Sequence, residues 1–289
     1  MSAPGPDAGE AGRPRRNLQD LGLRLLSAAV MAAAAAGTLH IGGHVFVLFW
    51  LLAATAVVYE WQAMIGGGGL FRRFAIGATC LAAASAFASN AGPDYAIGIL
   101  AAGAGLVAWA GDKGRRLWAA AGVAYAGALV VAMGTLRFTA AFPFAELSIA
   151  WIFALVWGSD AMAYFGGRLI GGPKLWPRVS PSKTWSGTLT GVFCGAALGW
   201  AVTLFSSMPV SQLYVLLLGL ALACLSQAGD LMESAMKRHF GVKDSSHVIP
   251  GHGGFMDRLD GFVFASAFAA LIGTMRLDAL QAPAGLFQW

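Results

Sequence analysis

The chain has 289 residues, 57% of them hydrophobic and 11% charged, with a formal net charge of +5. Soluble domains carry about 25% charged residues, so this composition excludes an ordinary water-soluble globular protein and makes a bilayer the main solvent. Nothing in the sequence suggests nucleic-acid binding.

Residues 1–16, MSAPGPDAGEAGRPRR, are rich in Pro and Gly and read as a disordered tail. About 20 apolar residues in a helix cross a membrane, and an open strand could not satisfy its backbone there. Nine such runs follow, at about 21–38, 45–65, 74–91, 95–111, 117–136, 147–170, 185–206, 212–232 and 258–275. The expected fold is therefore an all-α integral membrane protein with about nine transmembrane helices. The first run reads as an uncleaved anchor rather than a signal peptide. Residues 17–140 form an N-terminal transmembrane region and 141–289 a C-terminal region that carries the polar chemistry. Cys80, Cys194 and Cys224 fall inside apolar runs without CxxC spacing and read as buried free thiols.

With nine helices, all the Lys and Arg residues except Arg137 and Arg276 fall on the side of the N-terminus. The positive-inside rule makes that side cytoplasmic, and its basic face suits anionic lipid headgroups or nucleotide phosphates. Glu60, beside Trp61 at the cytoplasmic end of the second helix, reads as an interfacial anchor or a helix-packing partner. Asp160 lies well inside the sixth helix, with Tyr164 and Arg168 following on the same face. Either an Asp–Arg structural pair or an inward polar face reaching a cavity accounts for them.

Two long polar loops lie on the cytoplasmic side. The first is GGRLIGGPKLWPRVSPSKTWSG, 166–187. Its SPSKT reads as a helix start, with Ser180 capping and Pro181 in the first turn; Lys183 is then a phosphate ligand or a snorkelling lysine. In the eighth helix Asp230, Glu233, Ser234 and Lys237 share one face. Ionised side chains in a membrane segment cost about 2.5–3.5 kcal/mol at the centre by insertion scales, so such residues usually face an interior and serve a function. The second loop, SAMKRHFGVKDSSHVIPGHGGFMDRLDG, leads from that face to Asp257 at the start of the ninth helix. One loop can thus bring Asp230 and Asp257 together. Paired carboxylates among Lys and Arg suit Mg²⁺ holding phosphate oxygens. Zinc fits poorly, because His239, His247 and His252 lack a cysteine or tight His spacing nearby. PGHGG offers backbone N–H groups that could approach a phosphate, though a plain turn is the commoner reading.

Together these residues resemble the phosphatidate cytidylyltransferase family, the integral-membrane synthases of CDP-diacylglycerol. The motif is carried by Ser234, Lys237-Arg238, Lys243-Asp244, Pro250, His252-Gly253-Gly254 and Asp257-Arg258-Leu259-Asp260. DAMAYFGGRLIGGPKLWPRVSPSKTWSG resembles the family's second block, so the likeness is strong over about 155–262 and reaches the first half only through hydropathy and the Glu60-Trp61 pair. One departure is Ser186, where the family usually has Glu. The resemblance implies cytidylyl transfer from CTP to phosphatidate, releasing pyrophosphate, with the active site on the cytoplasmic side of a bacterial-type inner membrane. It also implies a homodimer. On this basis Asp230, Asp257, Lys183, Lys237 and Arg258 are the expected catalytic residues. Ser180, Ser182, Lys183, Ser234, Arg238, Lys243, Asp244, His252, Gly253, Gly254, Asp160 and Arg168 are expected to bind substrate. A two-metal site on Asp230 and Asp257 is expected, one ion Mg²⁺ and the second unidentified, with Glu233 and Asp260 as further candidate ligands.

Two alternatives come from neighbouring chemistry. A CTP-dependent polyprenol- or phytol-type lipid kinase would release CDP instead of pyrophosphate. An anion transporter would place its charges along a midplane pathway in an inverted repeat, whereas most of the acids here gather at one edge, with Asp160 the main exception, and no repeat is visible.

Overall fold

Each apolar stretch closes its backbone hydrogen bonds within itself, as a lipid solvent demands. The computed structural model describes residues 18–90, 93–138, 142–246, 248–249 and 253–288. The tail at 1–16 and His247, Pro250 and His252 of the second polar loop lie outside them. Among the described residues there are nine long helices: α1 (Leu18–Ile41), α2 (Gly43–Ile65), α3 (Leu70–Asn90), α4 (Pro93–Ala110), α5 (Arg116–Arg137), α6 (Phe142–Leu169), α7 (Trp185–Leu204), α8 (Gln212–His239) and α9 (Met256–Arg276). A four-residue α10 (Ala282–Gly285) ends the order. Eight of them, α2 to α9, are long and apolar enough to cross a membrane.

The first polar loop departs from expectation. Ser180–Thr184 is not a helix start but a strand, β2, paired antiparallel with β1 (Lys174–Trp176) in a register that sets Lys174 against Thr184 and Trp176 against Ser180. Proline drives its predecessor out of the helical region and tolerates a sheet edge, so Pro181 favours the strand. The cap falls on Thr184 instead, whose hydroxyl accepts from the Gly187 amide at 3.1 Å. Further on, α8 continues past its expected end at 232 to His239, keeping Glu233, Ser234 and Lys237 on helical spacing.

Small residues set the closest helix contacts. Gly187, Gly191, Gly195 and Gly199 recur every fourth residue along α7 and lie against α6. A Cβ at Gly191 would come within 2.7 Å of the Ser159 carbonyl oxygen, and one at Gly195 within 2.8 Å of the Leu155 carbonyl oxygen. Without a hydrophobic drive between helices in lipid, such close backbone packing is a principal source of association. Between α8 and α9, Gly229 abuts the Asp260 carbonyl and Gly261 abuts Ser226. These two helices are therefore in close contact beside Asp230 and Asp260.

The N-terminal helices join this assembly through α5, the most thoroughly buried helix, and through aromatic contacts. Trp50 of α2 stacks on Phe262 of α9 with ring centroids 5.0 Å apart, and Phe153 of α6 lies 5.5 Å from Phe262. Such pairs add about 0.5–1.5 kcal/mol beyond their buried area.

Candidate active site

A cavity of about 700 Å³ opens where α6, β2, α7, α8 and α9 meet. Asp160, Tyr164 and Arg168 reach it from α6, Ser182 and Lys183 from β2, and Gln227, Asp230 and Lys237 from α8. Asp244 of the second loop and Asp257, Arg258 and Asp260 of α9 complete its polar wall. All five expected catalytic side chains thus share one cavity.

Within it the carboxylates and ammonium groups alternate. Lys183 Nζ lies 2.6 Å from Asp230 Oδ2 and donates to Gln227 Oε1 at 3.1 Å. The Gln227 amide in turn donates to the buried Ser159 hydroxyl at 3.1 Å. Lys237 Nζ sits 2.6 Å from both Glu233 and Asp257. Asp257 also accepts from the Ser245 amide at 3.0 Å, the Ser245 hydroxyl at 2.9 Å and the Gly254 amide at 2.8 Å. Asp160 and Asp260 have no ion pair among the described residues. Five carboxylates and four cations lining one open cavity suit a phosphate-rich ligand carried with a divalent cation.

Asp230 and Asp257 face the same cavity, yet each holds its own lysine. No three His, Cys, Asp or Glu side chains among the described residues form a ready-made metal cluster. Magnesium does not require one: it takes one or two carboxylates and completes its shell with water and substrate phosphates. The all-oxygen donor set matches that preference. Glu233 does not line the cavity; it is buried behind Lys237.

The remaining expected residues divide. Ser234 lies against Asp230, 3.4 Å away. Ser180 is buried in β2 and does not line the cavity. Arg238 donates to the Val242 carbonyl at 3.1 Å, in the loop just past α8, and exposed Lys243 stays off the cavity wall. The Gly254 amide, expected to face a phosphate, is turned onto Asp257 in the manner of a first-turn carboxylate reaching back to a preceding N–H. Gly253 adopts φ +81° and its carbonyl accepts from Ile249 at 2.9 Å. His252 lies outside the described residues. Arg168 donates to the Tyr164 hydroxyl at 2.8 Å rather than pairing with Asp160. Ser186 also stays out of the cavity: its hydroxyl contacts the Gly171 carbonyl and lies 3.1 Å from the Thr184 hydroxyl.

Three participants stand outside the expected site residues. Gln227 precedes Asp230 by three residues on α8, so extending the polar face back one turn would have found it. Ser245 follows the Lys243-Asp244 pair directly. Glu60, on α2, accepts from the amides of Phe255 and Met256 at 2.9 and 2.8 Å and from the hydroxyls of Ser246 and Ser245 at 2.6 and 3.1 Å. It is a packing partner, but of the start of α9 rather than of an apolar face.

The described geometry coincides with a sequence relationship. Residues 22–275 match the cytidylyltransferase family. A phosphatidate cytidylyltransferase of Brucella suis biovar 1 (strain 1330) is 36% identical over 271 residues, covering 93% of this chain and 99% of its own length. Its counterpart in Brucella abortus biovar 1 (strain 9-941) is 38% identical over 259 residues, 89% of this chain and 95% of that one. The phosphatidate cytidylyltransferase of Bacillus subtilis (strain 168) is 44% identical over 114 residues, 39% of this chain and 42% of that protein.

Proposed function

The chain belongs to the cytidylyltransferase family, and from that premise we propose that it transfers the cytidylyl group of CTP to phosphatidate. The products are CDP-diacylglycerol and pyrophosphate. The observation that carries the proposal is the one cavity into which three helices, α6, α8 and α9, deliver Asp160, Asp230, Asp257 and Asp260 beside Lys183 of β2, Lys237 and Arg258.

The phosphatidate phosphate is already an anionic nucleophile, so no strong general base is needed. Its oxygen attacks the α-phosphorus of CTP, the bond from that phosphorus to the β-phosphate bridging oxygen breaks, and pyrophosphate leaves with the electron pair. The difficulty is the approach of two polyanions. Lys183, Lys237 and Arg258 relieve it by facing the phosphates as the charge redistributes. Magnesium fits this site: Asp230 and Asp257, with Asp260 and Asp160 on the same wall, would hold it, and it would neutralise and orient the triphosphate. Ser182 and Asp244 lie at the rim, where the nucleotide enters. Arg168 and Tyr164 stand on α6, where the lipid phosphate can arrive with its tails still in the bilayer.

The same proposal places the N-terminus and the cavity on the cytoplasmic side of the membrane, supported by the Lys and Arg distribution. A soluble nucleotide then meets a membrane-bound lipid at that boundary, which explains why polar chemistry gathers there.

Purified protein incubated with α-labelled CTP, Mg²⁺ and phosphatidate is expected to yield labelled CDP-diacylglycerol and unlabelled pyrophosphate. Release of labelled CDP with the γ-phosphate on lipid would replace the proposal with a lipid kinase. A second expectation concerns Gln227, which orients Lys183. Gln227→Leu removes one hydrogen bond to a charged group, worth about 1.5–3 kcal/mol. Its kcat/KM should therefore fall by roughly 10- to 100-fold. Initial rates on monodisperse protein check this; an unchanged kcat/KM would detach Gln227 from the site.

A further inference from the structure

We infer that Glu60 is a positioning residue of this active site: its buried carboxylate holds the start of α9 and the Ser245–Ser246 turn in place while Asp257 exchanges protein partners for ligand. The inference rests on the function proposed above. Glu60 belongs to α2, far from the motif in sequence, and is 1% exposed. Two of its four donors, the Phe255 and Met256 amides, are first-turn N–H groups that have no partner inside their own helix. Its negative charge also sits at the positive end of the α9 dipole. No Lys or Arg pairs with it among the described residues. Amides and hydroxyls alone balance the charge.

Ser245 links this carboxylate to the catalytic one. Its hydroxyl lies 3.1 Å from Glu60 Oε2 and 2.9 Å from Asp257 Oδ2. A hydroxyl carries one proton, so it donates to one of the two carboxylates at a time. When Asp257 turns to a ligand, the Ser245 proton has Glu60 to receive it. The Ser246 hydroxyl and the Phe255 and Met256 amides remain bound to Glu60 throughout. The turn therefore keeps its shape when Asp257 gives up its own contacts. Packing leaves no slack, because a Cβ at Gly254 would stand 2.6 Å from both Glu60 oxygens.

The test uses full-length protein in detergent, comparing wild type with Glu60→Gln and Glu60→Asp. Gln keeps the size but offers one acceptor oxygen and sets an NH₂ group against donors; Asp keeps the charge and draws it back by one methylene. Two quantities are read on monodisperse protein: amide exchange across residues 253–257, and the KM values for CTP and phosphatidate. In Glu60→Gln the exchange is expected to accelerate and the CTP KM to rise about tenfold, with the phosphatidate KM within about threefold of wild type. Glu60→Asp should recover part of both effects. Unchanged exchange would overturn the inference, and so would faster exchange with a wild-type CTP KM, since that marks a purely structural carboxylate. If Glu60→Gln does not fold, Glu60→Asp is read by the same two criteria. Failure of the wild type to form CDP-diacylglycerol would instead overturn the proposed function, and the exchange comparison, which needs no turnover, would still decide whether Glu60 holds the turn.

Discussion

Asp257→Asn is expected to lower turnover by about a hundredfold to a thousandfold while the protein stays inserted and monodisperse. The Asp257 carboxylate holds Lys237 at 2.6 Å and gathers three donors from Ser245 and Gly254. Asn retains one acceptor oxygen and turns an NH₂ group toward those donors. Removing one partner of a largely buried pair costs about 3–5 kcal/mol because the other charge is left uncompensated. Lys237 keeps Glu233, which moderates the loss of stability, so the larger share falls on the reaction. There the missing negative charge weakens the hold on a magnesium-bound triphosphate. Initial rates across a Mg²⁺ series, with size-exclusion profiles of both proteins, check the expectation. Activity within tenfold of wild type would remove Asp257 from the catalytic set.

The helices and the meeting place were largely legible in the sequence. Apolar runs of spanning length announce themselves by composition, and the nine long helices lie close to the nine runs. Spacing along α8 put Asp230 and Lys237 on one face, and the following loop was long enough to return Asp257 to them. What escaped was local competition and distance. SPSKT carries a good helix-start pattern, but Lys174–Trp176 offers it a strand partner that no local pattern reveals. Glu60 is a lone carboxylate at a helix end, where an interfacial role is the ordinary reading. Its four donors come from residues 245–256, which only the packing of α2 beside α9 brings near. The glycine-rich PGHGG offers exposed amides that suit a phosphate, although a plain turn is the commoner reading of it. In the structure the Gly254 amide donates to Asp257, a partner that no local pattern in the loop announces. The lysine pairings were equally hidden, because spacing places Lys183 near Asp230 only after the β1–β2 hairpin has folded back over α8.

That hairpin makes Lys183 the second position with a large expected effect. Lys183→Met keeps most of the apolar stem and removes the ammonium group, and kcat/KM is expected to fall by about a hundredfold or more. The ammonium contacts Asp230 at 2.6 Å and Gln227 at 3.1 Å, and both it and Asp230 are partly shielded from water, with side-chain exposures of 17% and 30%. Without it, Asp160, Asp230 and Asp260 line one wall with Asp230 no longer paired. Stability in the absence of substrate should fall as well. Arginine is not expected to rescue the activity: its planar fork is longer and directional, whereas this position uses a compact point charge between an acid and an amide. The double variant Lys183→Met/Asp230→Asn separates the two consequences. Removing both charges should restore part of the lost thermal stability, as expected for a directly coupled pair, and should leave activity as low as in the single variants. If Lys183→Met instead retains more than about a tenth of the wild-type kcat/KM, the lysine is a structural counter-ion to Asp230 and takes no part in relieving phosphate repulsion.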